Sequence, residues 1–113
     1  MNLANLAAAS GDVRKAGELY RRALGLAPRS PKLLYNYARF RFGCNEDCDA
    51  DIAAALDADP SGSAVWNLAG LAAMRRRDFR RAADCFEKAA RFSSGELRER
   101  YLNNRRIALE SLR

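Results

Sequence analysis

SAVWNLAGLAAMRRRDFRRAADCFEKAARFSS, residues 63–94, decides how the rest of the chain is read. Trp66 is followed by Gly70, then by Asp78, Phe79, Ala82, Phe86 and Ala89. The spacing describes two helices joined by a short basic turn and packed closely against each other. Gly70 falls in the middle of the first helix, where glycine costs roughly 1 kcal/mol relative to alanine. That cost makes sense if the partner helix crosses there with no room for a larger side chain.

The pattern returns twice upstream. Aligned on the second helix, Ala16, Tyr20, Ala23 and Pro28 fall over Cys48, Ile52, Ala55 and Pro60, and these over Ala82, Phe86, Ala89 and Ser94. The offsets are 32 and 34 residues. A period of this length marks one helix pair that buries its apolar face only against its neighbours. The chain therefore divides into repeats at 1–30, 31–62 and 63–96, with a capping helix at 97–113, all within one domain. The middle repeat is two residues short and has small packing residues, Ile52 for an aromatic and Cys48 for alanine. It is expected to be the weakest link.

Composition supports helix throughout. There are 22 alanines, no threonine, and only Val13, Ile52, Val65 and Ile107 as β-branched residues, the types on which strands draw. Helices are expected at 2–9, 13–26, 31–42, 47–57, 64–76, 79–92 and from the Ser94 turn to 112, about seven in all. Asp12, Ser30 and Asp78 stand at N-cap positions, Ser61-Gly62-Ser63 caps the fifth helix, and Ser93-Ser94-Gly95-Glu96 has the spacing of a capping box. Leu97, Tyr101, Ala108 and Leu112 form the apolar stripe of the last helix. On residues 31–42, Leu33, Leu34, Tyr37, Ala38 and Phe40 supply one face, while Lys32, Tyr35, Arg39 and Phe42 follow i, i+3, i+7, i+10 on another. A helix with one buried face has no need of the second set.

The net charge is +6, carried by 17 arginines and 3 lysines. Arginine clamps carboxylate or phosphate, so acidic protein and nucleic acid both fit the charge. Arg75, Arg76, Arg77, Arg80 and Arg81 make the densest basic cluster, but its one aromatic, Phe79, is claimed by packing rather than stacking. No run approaches the ~18 apolar residues of a membrane span. The three cysteines, Cys44, Cys48 and Cys85, fit free thiols in a reducing, cytoplasmic compartment rather than a disulfide framework.

Histidine is absent altogether, which removes the commonest general base and metal ligand. Cys44 and Cys48 have no companion ligands at a metal-site spacing. Asp47, Asp49 and Asp51 alternate like the start of a calcium loop, yet Ile52 holds the glycine position and Ala58 the closing glutamate position. Ordinary acidity at a helix N-terminus is the better account. No cofactor, metal or catalytic residue is expected.

Trp66, Gly70, Phe79, Ala82, Phe86 and Ala89 fall at the signature spacing of the tetratricopeptide repeat, and the chain resembles that family over nearly its whole length. Only the closing proline of the third repeat is missing, replaced by Ser94. The resemblance implies a right-handed α-solenoid of antiparallel helix pairs whose first helices line a concave groove. Carried over residue by residue, the groove positions are Asn5 and Ala8, then Lys32, Tyr35, Arg39 and Phe42, then Asn67, Leu71, Met74 and Arg75. The second stripe on residues 31–42, found from periodicity, is the same set. By the same analogy the residues ahead of the first repeat's signature would precede Met1, so the chain is either part of a longer array or has a frayed first repeat.

One branch of the family grips acidic chaperone tails with two asparagines and three basic residues. Asn5 and Asn36 match the asparagines, but Met1, Ala64 and Leu68 occupy the basic positions, which argues against that role. The resemblance instead implies a non-enzymatic scaffold that binds a peptide or helix of a partner protein with apolar anchors and acidic flanks. The alternatives are an RNA-associated helical repeat acting through Arg75–Arg81, or an architectural subunit of a large assembly. Pairing of two copies through repeat ends is a further option.

Overall fold

Asp12, Ser30 and Asp78 begin three helices in the same way. Their side-chain oxygens accept hydrogen bonds from the backbone N–H groups of Lys15, Leu33 and Arg81, at 3.2, 3.3 and 3.3 Å. Each satisfies a donor that the first turn leaves unpaired. The computed structural model describes residues 12–112. These form six helices: α1 (Val13–Leu26), α2 (Pro31–Gly43), α3 (Asp49–Ala58), α4 (Ser63–Arg75), α5 (Phe79–Arg91) and α6 (Gly95–Glu110). No strand occurs among the described residues. The helix expected at 2–9, with Asn5 and Ala8, lies outside them.

Three starts differ from expectation. α3 begins at Asp49, because the Asp47 carboxylate accepts from the Asp49 N–H at 2.9 Å and holds the approach in a turn. α4 has Gly62 at its N-cap with no side-chain bond, while Ser61 turns back to the Asp59 carboxylate at 3.0 Å. The capping box before α6 does not form. Ser94 occupies the cap without a side-chain bond, and the Ser93 hydroxyl donates to the carbonyls of Ala89 and Ala90 at 2.9 and 3.1 Å. Ser93 thus finishes α5 rather than starting α6. Gly95 then takes φ +61°, a left-handed conformation that favours glycine.

One compact unit extends to Ala58 and a second begins at Asp59. In the first, α1 packs on α2 and α2 on α3. Ala16, Tyr20, Leu34, Ala38, Cys48, Ile52 and Ala55 are its buried apolar residues. The Tyr20 ring lies 5.2 Å from Phe40 and 5.8 Å from Tyr37, centroid to centroid, which ties α1 to α2. Arg41 ties α2 to α3: its guanidinium donates to Glu46 at 3.0 Å and to Asp51 at 2.8 Å. Asp51 is therefore spoken for in a structural ion pair.

In the second unit, α4 packs on α5 and α5 on α6. Ala73, Ala82, Ala83, Phe86 and Ala108 form one core cluster, and Ala89, Ala90 and Tyr101 a second against which Trp66 packs. The close crossing inferred at Gly70 is present, since a Cβ there would lie 2.5 Å from Cε1 of Phe86. The Trp66 indole N–H donates to the Pro60 carbonyl at 2.9 Å, and the Lys88 ammonium sits 4.5 Å from its ring. Pro28 and Pro60 are exposed, in the turns between helices, whereas Ala23 and Phe79 are half-buried.

The stripe expected on the last helix is only half realised. Tyr101 and Ala108 are buried, but Leu97 and Leu112 are 41% and 48% exposed. Leu97 stands in the first turn of α6, and Leu112 lies past the end of the helix at Glu110. No helix among the described residues is long and apolar enough to cross a membrane.

Candidate partner-binding surface

α2 is divided by its own periodicity. Leu34 and Ala38 are buried in the first unit, while Lys32 and Arg39 are exposed and Tyr35 and Phe42 half-buried, Phe42 one turn on from Ala38. The Arg39 guanidinium lies 6.0 Å from the Tyr35 ring centroid. Tyr35 therefore offers an apolar face with a cation already beside it. Asn36, matched to a clamp asparagine, is half-buried on the same helix.

α4 carries the second set. Leu71 is 37% exposed and Arg75 is exposed at the end of the helix. Met74, assigned to the groove by analogy, packs against the core cluster around Phe86. Asn67 is half-buried and its side-chain carbonyl accepts from the Asn104 amide of α6 at 3.1 Å. Asn104 was not among the residues singled out by sequence. Its partner lies 37 positions away, and no periodicity within one helix announces such a bond.

Leu68 is 3% exposed and Ala64 half-buried. These are two of the three positions at which a carboxylate clamp needs a base. A cation at Leu68 would have to leave water for the core, which is costly without a partner. Met1 and Asn5 lie outside the described residues.

Arg75, Arg76, Arg77, Arg80 and Arg81 are all exposed. Arg77 adopts φ +64° in the α4–α5 turn and sets its guanidinium 5.5 Å from the half-buried Phe79 ring. The one aromatic in the cluster is thus covered by one of its arginines.

Cys44, Cys48 and Cys85 are free thiols, the last two buried. Burial pushes the Cys85 thiol above its ordinary pKa, so it stays protonated and unreactive. Among the described residues no group of histidine, cysteine, aspartate and glutamate is placed to hold a metal ion.

The described geometry defines a class: an all-α protein built of short capped helices, each packed on the next within its unit. The profile of the tetratricopeptide repeat family matches residues 1–30, and the chain belongs to that family. It is 32% identical over 90 residues to a TPR repeat-containing protein of Treponema pallidum, covering 80% of this chain and 11% of that protein. It is 35% identical over 86 residues to the heat-shock protein cognate co-chaperone sgt12 of Aspergillus fumigatus, covering 74% of this chain and 25% of that one. The chain thus spans a quarter or less of these relatives' length.

Among solved structures, the Sgt2 TPR domain from Aspergillus fumigatus superposes with a TM-score of 0.84 at 27% identity, covering 98% of this chain and 77% of that domain. The first TPR of Spaghetti (RPAP3), bound to the HSP90 peptide SRMEEVD, gives 0.82 at 18% identity, covering 96% and 89%. The all-α fold is that of tetratricopeptide-repeat domains.

Proposed function

We propose that this chain is a non-enzymatic protein–protein interaction module. It holds a peptide or helix of a partner protein through outward side chains on the first helix of a pair: Lys32, Tyr35, Arg39 and Phe42 on α2, and Asn67, Leu71 and Arg75 on α4. The observation that carries this reading is the presence of Tyr35 and Leu71, incompletely buried and close in sequence to cations, on helices whose other faces already supply the core. Such a surface favours a ligand with apolar anchors and acidic neighbours. The peptide in the RPAP3 structure supports this use of the fold. The buried Leu68 and half-buried Ala64 argue that the ligand is not a terminal carboxylate held in a basic clamp. Free cysteines fit a reducing, cytoplasmic setting.

The test is capture of partners from a cell extract by tagged protein, half of it nuclease-treated, followed by mass spectrometry. The same one or two proteins should come down in both halves and vanish with Tyr35→Ala plus Leu71→Ala, while the circular dichroism spectrum is unchanged. Capture indifferent to both substitutions would sink the assignment. Recovery that depends on intact nucleic acid would instead place function on the exposed Arg75–Arg81 cluster, with a salt dependence to match.

A further inference from the structure

α6 is the capping helix, yet its outer side is not uniformly polar. Arg98, Leu102, Arg105 and Leu109 follow one another at i, i+4, i+7 and i+11, so they share one stripe, offset from the buried Tyr101 and Ala108. Leu102 and Leu109 are 41% and 39% exposed. Beside the stripe, Ala90, Glu87 and Arg91 of α5 complete a surface groove of about 330 Å³, lined by Arg98, Leu102 and Arg105 on the α6 side. All of these residues belong to the second unit.

The charges within the groove are unbalanced. Its single acid, Glu87, is paired with Arg91 at 3.3 Å. Arg106, on a different side of α6, is bound by Glu110 at 2.8 Å and by Asn103 at 2.6 Å. Arg98 and Arg105 form no ion pair with any described residue. Two guanidinium groups therefore flank an apolar floor of Ala90 and Leu102 with no internal carboxylate to neutralise them.

We propose that this α5–α6 groove is a second docking site, separate from the outward faces of α2 and α4, and that it receives an acidic amphipathic helix of a partner protein. A helix is the fitting occupant because alternating Leu and Arg along the stripe match a ridge of leucines and glutamates at the same i, i+4, i+7 spacing. The leucines of the ligand lie over Ala90, Leu102 and Leu109, and its glutamates reach Arg98 and Arg105 as charge-assisted hydrogen bonds.

The probe is a synthetic helical peptide of about 16 residues, with Leu and Glu alternating along one face, followed by fluorescence anisotropy against the full chain. Binding should saturate, and Arg98→Glu plus Arg105→Glu should weaken it about tenfold or more, from the loss of two ion pairs and the introduction of like-charge contacts. The reversed variant should recover affinity for the same peptide with Lys in place of Glu, which a misfolded variant cannot do. Tyr35→Ala plus Leu71→Ala should leave this binding unchanged, separating it from the α2 and α4 surface. No saturable binding at low salt would overturn the proposal, as would equal loss on replacing Arg75, Arg76 and Arg77. Sedimentation showing that the groove instead pairs two copies of this chain would overturn it too.

Discussion

Replacing Gly70 by alanine sets two effects of opposite sign against each other. Removing a helix-interior glycine favours folding by about 1 kcal/mol. The added methyl, however, would stand 2.5, 2.7 and 2.9 Å from Cε1, Cδ1 and Cζ of Phe86, where carbon atoms ordinarily rest about 3.5–4.0 Å apart. The ring would have to retreat by about 1 Å. Phe86 is 1% exposed and packed among Ala73, Ala82, Ala83 and Ala108, whose methyl groups have no rotamer by which to move aside. Overpacking of this kind costs about 1–3 kcal/mol, and a rigid surround puts the cost toward the upper end. Net destabilisation of about 1–2 kcal/mol follows. The chain's single tryptophan, Trp66, packs against Ala89, Ala90 and Tyr101 of the same unit, so its fluorescence during urea unfolding reads the relevant core. Phe86→Leu should be less harmful in the Gly70→Ala background than in the wild type, because the smaller side chain relieves the clash. Gly25, in α1 with nothing within 4 Å of its would-be Cβ, should respond to alanine with neutral or increased stability by circular dichroism. Gly70→Ala at or above wild-type stability would refute the close-crossing account.

Other consequences can be measured on the same preparations. Tyr20→Ala should cost about 3 kcal/mol, because it empties the space between Tyr37 and Phe40 and leaves α1 without its aromatic anchor; chemical denaturation followed by circular dichroism is the check. Arg41→Ala should cost about 1–2 kcal/mol by urea midpoint, since it leaves the Asp51 carboxylate, 17% exposed, without its cation; an unchanged midpoint would make the bridge ornamental. Burial raises the pKa of the Cys85 thiol above its ordinary 9.0 and that of the Tyr20 hydroxyl above its ordinary 10.0. Both groups then hold their protons longer in the folded chain than in the unfolded one. Their contribution to stability is complete below about pH 9 and falls as the medium becomes more alkaline, which thermal melts across pH 8–11 would register. Cys44, half-buried, should be alkylated well before Cys85 at neutral pH, by mass spectrometry of timed samples.

Helix positions were legible because each rests on local chemistry. Asp12, Ser30 and Asp78 cap by reaching the N–H three residues on, and that reach is fixed by sequence distance alone. The misplaced details have a different origin. Ser93 had two uses within reach, opening α6 or closing α5, and the carbonyls of Ala89 and Ala90 outcompeted the next helix for its hydroxyl. Leu97 and Leu112 have the period of Tyr101 and Ala108 but not their burial, because a period says which side of a helix a residue would occupy without saying where the helix stops, and α6 ends at Glu110 before reaching Leu112. The Asn67–Asn104 bond was invisible for a stronger reason: either amide is equally plausible as a solvated surface residue, and only the fold brings them to 3.1 Å.

The same distinction bears on what the chain can bind. A 35% identity to a co-chaperone over 86 residues concerns the repeat framework and does not carry a ligand with it. Recognition of a terminal carboxylate depends on charge at a few positions rather than on the repeat signature. Leu68 is committed to the core at 3% exposure, and Ala64 carries no charge. A single substitution introducing lysine at Leu68 would bury an ammonium beside apolar side chains, with a penalty of several kcal/mol unless its proton is lost. Ala64→Lys, at a half-buried position, is the more tolerant change, because a long lysine stem can carry its charge out to water. If affinity for the peptide SRMEEVD rises with Ala64→Lys while stability holds, the fold has kept the geometry of that ligand's site and lost only its charge. No gain would favour the proposed ligand of different chemistry, one with apolar anchors for Tyr35, Phe42 or Leu71.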